Sequence, residues 1–128
     1  MKKGREKLSE EEVRRVVKAV KEMPVDNIIL IPSSKNRTFM SDYKMEEKRW
    51  KVLLKTLEED EYDETMPWDR NPQIDLHVFF ITRMLASISM GKMQEEKIYV
   101  KLGFDVSNKL LVVSFHYPDF PNDERFRR

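Results

Sequence analysis

A chain of 128 residues, 40% apolar and 37% charged, suits one domain (residues 1–128) around one core and leaves no room for the ~20-residue apolar run of a membrane-spanning helix. Lys and Arg number 24 against 23 acidic residues, so overall charge neither demands nor forbids a nucleic-acid partner. With no cysteine and two histidines, disulfides, thiol nucleophiles and cysteine-bound metals are excluded, and neither a metal nor a cofactor is expected.

Met1-Lys2-Lys3-Gly4-Arg5 is basic, but a charged amphipathic stretch follows instead of the apolar one of a secretory signal, which points to a cytoplasmic protein. Ser9-Glu10-Glu11-Glu12 has the spacing of a capping box, and Val13, Val16, Val17 and Val20 then form one apolar stripe. A helix is expected over about 9–23, stopped by Pro24, which lacks an amide donor. Asn27-Ile28-Ile29-Leu30-Ile31 is β-branched and reads as a short strand ended by Pro32. Lys35 to Met40 has no strand alternation and accommodates one helical turn. From Met45 to Leu57 the positions Trp50, Leu53, Leu54 and Leu57 repeat at helical spacing and predict a second principal helix, so Trp50 belongs to the core, as does Phe39.

Glu58 to Glu64 carries six acids around Tyr62, and their mutual repulsion favours an exposed loop or a fraying helix end. Pro67 and Pro72 enclose the turn-rich Trp68-Asp69-Arg70-Asn71. Strands are expected at Leu76–Thr82, Ile98–Phe104 and Leu110–His116, with His77 as a hydrogen-bonded core histidine, Gly91 in a connection and Asp105–Lys109 as a hairpin loop. A tail is expected over about 119–128. Helices first and strands last indicate an α+β fold: a mainly antiparallel sheet with two principal helices packed on one face.

The terminal hairpin carries the candidate chemistry. Matching Val100, Leu102 and Phe104 to Leu111, Val113 and Phe115 as one core face demands an even loop length. A four-residue loop sets Tyr99 opposite His116 and Lys101 opposite Ser114, and a two-residue loop keeps the same four on one face, shifted by a pair. A phenol, an ammonium, a hydroxyl and an imidazole then share a surface on which opposed β-carbons lie only ~5 Å apart. Metal-free RNA cleavage needs such groups: a base for the 2′-hydroxyl, positive charge for the phosphorane and an acid for the leaving oxygen. His116 suits either proton role, Lys101 the phosphate, and Tyr99 a phosphate oxygen or a base. The same face also reads as the ordinary wet side of an amphipathic hairpin. Lys35, Asn36 and Arg37, beside a strand end, offer two cations and an amide for phosphate or base edges, or a solvated turn.

The order Lys35-Asn36-Arg37-Thr38-Phe39, Leu54-Lys55-Thr56-Leu57, Glu59-Asp60-Glu61-Tyr62, Val78-Phe79, Ile98-Tyr99-Val100-Lys101-Leu102 and Val112-Val113-Ser114-Phe115-His116 resembles the MqsR-like toxins of bacterial toxin–antitoxin systems over about residues 28–120. The resemblance implies a RelE-like fold and a metal-independent endoribonuclease that cleaves mRNA and is silenced by a cognate, DNA-binding antitoxin. It places Tyr99 and Lys101 on the family's active-site strand, His116 where some members carry a lysine and Tyr62 on the family's acidic-aromatic element. With the hairpin reading, Tyr99, Lys101 and His116 are the catalytic candidates and Lys35, Asn36, Arg37, Tyr62 and Ser114 the substrate contacts. Two departures stand out: Asp63 follows Tyr62 where the well-known branch has a lysine, and Arg83 to Glu96 is longer than usual before the Tyr99 strand. The alternative is a non-catalytic RNA- or protein-binding module on the same scaffold.

Overall fold

The computed structural model describes residues 4–87 and 91–120. The first helix, α1 (Glu10–Glu22), begins as its sequence dictates: Ser9 Oγ accepts from the Glu12 amide at 3.2 Å, and the Glu12 carboxylate accepts from the Ser9 amide at 3.0 Å. Its valine stripe is buried, and Pro24 follows the end of the helix. Carbonyls left over beyond that end are taken by lysines of a later helix. Lys55 Nζ donates to Met23 O at 2.6 Å, and Lys51 Nζ, on a residue only 4% exposed, donates to Val25 O at 2.8 Å and pairs with Glu47.

A 3-10 turn (Val25–Asn27) leads into β1 (Ile28–Leu30). The segment expected to make one helical turn is a nine-residue helix, α2 (Ser34–Asp42), capped by Ser33 Oγ on the Asn36 amide at 3.1 Å. Only Asn36 and Phe39 are buried along it, which is too sparse an apolar pattern to announce a helix. Next comes α3 (Glu47–Leu54), shorter than the 45–57 span of its pattern, although Leu57 beyond it is fully buried.

The acidic block is not simply a loop. A 3-10 turn (Glu59–Glu61) passes straight into β2 (Tyr62–Pro67), with Tyr62 and Asp63 buried. Repulsion is relieved because Arg83 grips Glu61 with its two terminal guanidinium nitrogens, at 2.5 and 2.8 Å. β3 (Asp75–Ser87) and β4 (Lys92–Phe104) extend well beyond the strands expected, so most of the supposed long connection after Arg83 is paired strand, Arg83 lying opposite Glu96. Residues 88–90 of that connection lie outside the described residues, as does 121–128 of the expected tail.

The last strand is β5 (Leu110–His116), and the sheet order is β1-β5-β4-β3-β2. The expected mainly antiparallel sheet is found in three of the four strand pairings, with two additions. The sheet is mixed, because β1 runs parallel to β5 with Ile28 opposite Leu110, and three α-helices are present among the described residues. The pairing of β1 with β5 joins the two ends of the sequence, a choice made by long-range contact that no local pattern records.

One face of the sheet packs under the helices, with Phe79, Ile81, Ile98, Val100, Leu102, Val112 and Phe115 against α1, Phe39, Trp50 and Leu54. Strand alternation sends Val78, Phe80 and Tyr99 to the opposite face, where they form a separate apolar patch with Met66. Gly103 lies on that face close against the start of β3. A β-carbon there would stand 2.5 Å from the Asp75 carbonyl oxygen and 3.0 Å from the side chains of Ile74 and Leu76. Gly103→Ala is therefore expected to cost roughly 1–3 kcal/mol, read as a lowered urea midpoint. No helix among the described residues is long and apolar enough to cross a membrane.

Candidate functional site

The register that brings the hairpin groups together is set by two compensating irregularities. Phe104 pairs with Leu110, so the loop holds five residues, not an even number. The register then slips by one between Lys101 and Leu102, leaving Val113 as a bulged extra residue. One odd loop plus one bulged residue restores the parity, and Tyr99 stands opposite His116 and Lys101 opposite Ser114. The bulge also corrects the expected core face of β5: Leu110, Val112 and Phe115 are buried in the core, while Val113 and Ser114 both line the opposite surface.

Asn36 holds this bulge. Its Nδ2 donates to Val113 O at 3.0 Å and to Ile31 O at 2.9 Å, and its Oδ1 accepts from the Phe115 amide at 2.9 Å. The side chain is fully buried and its polar atoms are committed to backbone, so Asn36 is a staple between α2, β1 and β5 and not the ligand contact expected.

The four hairpin residues open onto a cleft of about 610 Å³, whose rim includes Arg5, the amino end of α2 at Ser33–Lys35, Glu64 and Asp119. Arg5 pairs with Glu64 at 2.7 Å and Lys35 with Asp119 at 2.8 Å. Lys101 makes no ion pair or hydrogen bond among the described residues; its ammonium lies 5.7 Å from the centre of the Tyr99 ring. Burial pushes the Lys101 pKa down; the Asp69 carboxylate opposes it, while the charges of Arg5 and Lys35 push the same way as burial. The Ser114 hydroxyl, on a residue 7% exposed, likewise has no hydrogen-bond partner among the described residues.

His116 Nδ1 lies 2.7 Å from the Tyr117 carbonyl oxygen. A carbonyl only accepts, so Nδ1 carries the proton and Nε2 presents its lone pair. Burial pushes the His116 pKa below the usual histidine value, outweighing the Tyr117 hydrogen bond, and Lys35 and Lys101 add to the depression. The Tyr99 ring sits 5.7 Å from the imidazole and is braced edge-on by Phe80 at 5.3 Å. The cleft thus combines an imidazole whose pKa burial lowers, an ammonium that makes no ion pair among the described residues, a hydroxyl and an aromatic ring, a set able to bind an anion and move a proton beside it.

Other sequence candidates lie elsewhere. Tyr62 is on the helix-covered face, edge-on to Phe79 at 5.7 Å, in a buried chain that runs from its hydroxyl to Thr65 Oγ1 at 2.7 Å and on to His77 Nδ1 at 2.9 Å. It is a core residue, packed with the helix-side cluster and apart from Tyr99, Lys101 and His116. Asp63 is buried at a register shift in β2 and does not line the cleft. Arg37 is exposed on α2 outside the cleft lining, whereas Lys35 reaches it. Arg5, Ser33 and Glu64 were not legible as site residues: Ser33 reaches the cleft as the cap of a helix whose pattern is sparse, and Arg5 and Glu64 meet only through the pairing of Glu6 with Thr65.

No protein-family model matches this chain, and no curated protein matches it.

Proposed function

We propose that this protein is a metal-independent endoribonuclease of the toxin type, MqsR-like with a RelE-like arrangement, acting on mRNA and neutralised by a cognate antitoxin. The observation that supports it above all is His116 with Nδ1 held by the Tyr117 carbonyl and, among the described residues, Nε2 without a protein partner beside a Lys101 that makes no ion pair, in one cleft.

In this reading a phosphate of single-stranded RNA enters the cleft and is held by Lys101 and Lys35, with Ser114 donating to a phosphate oxygen and Tyr99 stacking on a base. His116 Nε2 takes the proton of the 2′-hydroxyl. The 2′-oxygen then bonds to phosphorus, the bond to the 5′-oxygen breaks, and that oxygen takes a proton from the Lys101 ammonium, which burial has made more acidic. The products are a 2′,3′-cyclic phosphate and a 5′-hydroxyl.

The test is incubation of purified protein with single-stranded RNA in EDTA. Cleavage leaving cyclic phosphate ends is expected, and its loss in the Lys101→Ala/His116→Ala double variant at an unchanged melting temperature. RNA binding without cleavage would replace the nuclease by a non-catalytic binding module.

A further inference from the structure

A second cleft, of about 420 Å³, adjoins the first and shares Ser33, Lys101 and Val113 with it. Its far wall is the turn between β2 and β3, where Trp68 and Arg70 stand together with the guanidinium 5.8 Å from the centre of the indole. This turn is tied down by backbone bonds: Trp68 N to Ile74 O at 2.9 Å, Ile74 N to Asn71 O at 2.9 Å and Asn71 N to Trp68 O at 3.1 Å. Gly103 lets it lie against the sheet. The indole N–H has no hydrogen-bond partner among the described residues, although Trp68 is partly buried.

The spacing also fits a polymer. Val78, opposite Lys101, pairs with Glu64, and two residues along the same strands Leu76 pairs with Met66 in the second cleft. That step is about 7 Å, a length one extended nucleotide spans.

Resting on the RNA reading above, we infer that Trp68 is a stacking platform for the nucleobase next to the phosphate held at Lys101, so that single-stranded RNA runs from the Tyr99–His116 cleft to the Trp68–Arg70 shelf. Aromatic stacking accepts any base, and Arg70 is a cation within reach of the following phosphate. The Asp69 carboxylate on the same wall disfavours a phosphate inside this cleft and leaves it to a base.

The experiment uses the whole chain and a short 2′-O-methyl RNA, which binds but cannot be cleaved. The protein has two tryptophans, and Trp50 is buried in the core, so emission from Trp68 reports on the shelf. Binding is expected to quench tryptophan fluorescence, and Trp68→Phe to abolish the quench while keeping affinity within a few-fold. Trp68→Ala is expected to weaken binding about 5- to 100-fold. Unquenched, unweakened binding that still depends on Lys101 would overturn the platform and leave the nuclease reading standing. No binding by the unaltered protein would overturn both.

Discussion

His116→Ala is expected to lower RNA cleavage by about 100- to 10,000-fold, the range that a positioned general base contributes, with RNA affinity nearly unchanged. The pH profile separates this from a loss of structure. A base works in its unprotonated form, and burial among Lys35 and Lys101 holds His116 below the ordinary value of ~6.5. The acid limb of the rate profile of the unaltered protein is therefore expected below pH ~6.5, and it should vanish in the variant. On the alkaline side, with Lys101 as the acid of the proposed reaction, its lowered pKa is expected to bring the decline in rate below the ~10.4 of a free lysine. Lys101→Arg keeps the charge but not the acidity, so it should retain RNA binding and lose turnover. The same depression of His116 affects stability. Between the folded pKa and ~6.5 the unfolded chain holds the extra proton, so stability is present above that window and is lost as pH falls through it.

Asn36→Ala is expected to destabilise the fold by about 3–5 kcal/mol, because one buried and two part-buried backbone groups lose their partners at once: Phe115 N, Ile31 O and Val113 O. A denaturant midpoint measures it. Asn36→Asp sharpens the point: it keeps shape and volume, yet a carboxylate cannot donate and would face two carbonyl oxygens, so it should be at least as harmful as alanine. A surface contact to RNA would behave oppositely, with stability intact and binding lost. Because the staple sets the bulge that turns Val113 and Ser114 into the cleft, conditions mild enough to keep the Asn36→Ala variant folded should still show weakened activity.

Chemistry-bearing groups were legible on the hairpin because strand alternation is local and has a period of two. Tyr99 and His116 face each other as face matching requires, even though the loop and the bulge each break the assumption behind the match. Tyr62 misled for the converse reason. Six acids around it suggested exposure, but Arg83, distant in sequence and itself anchored on Thr56, takes up Glu61, and Tyr62 is buried. Asn36 sits in a polar string with two cations, and nothing in that string distinguishes a solvated amide from one saturated by backbone.

What the sequence determined by itself is everything governed by neighbours within a few positions: the capping box at Ser9, the valine stripe of α1, its stop at Pro24, and the alternation of β4. The tertiary structure alone decided the parallel docking of β1 on β5, the bulge at Val113, the cleft between α2 and the hairpin, and the removal of Tyr62 to the opposite face. Each of those depends on groups far apart in the chain, as with Asn36 and its partners 77 and 79 positions away. Periodicity and capping are short-range rules, whereas the satisfaction of buried backbone groups is an account that closes only when the whole fold is assembled.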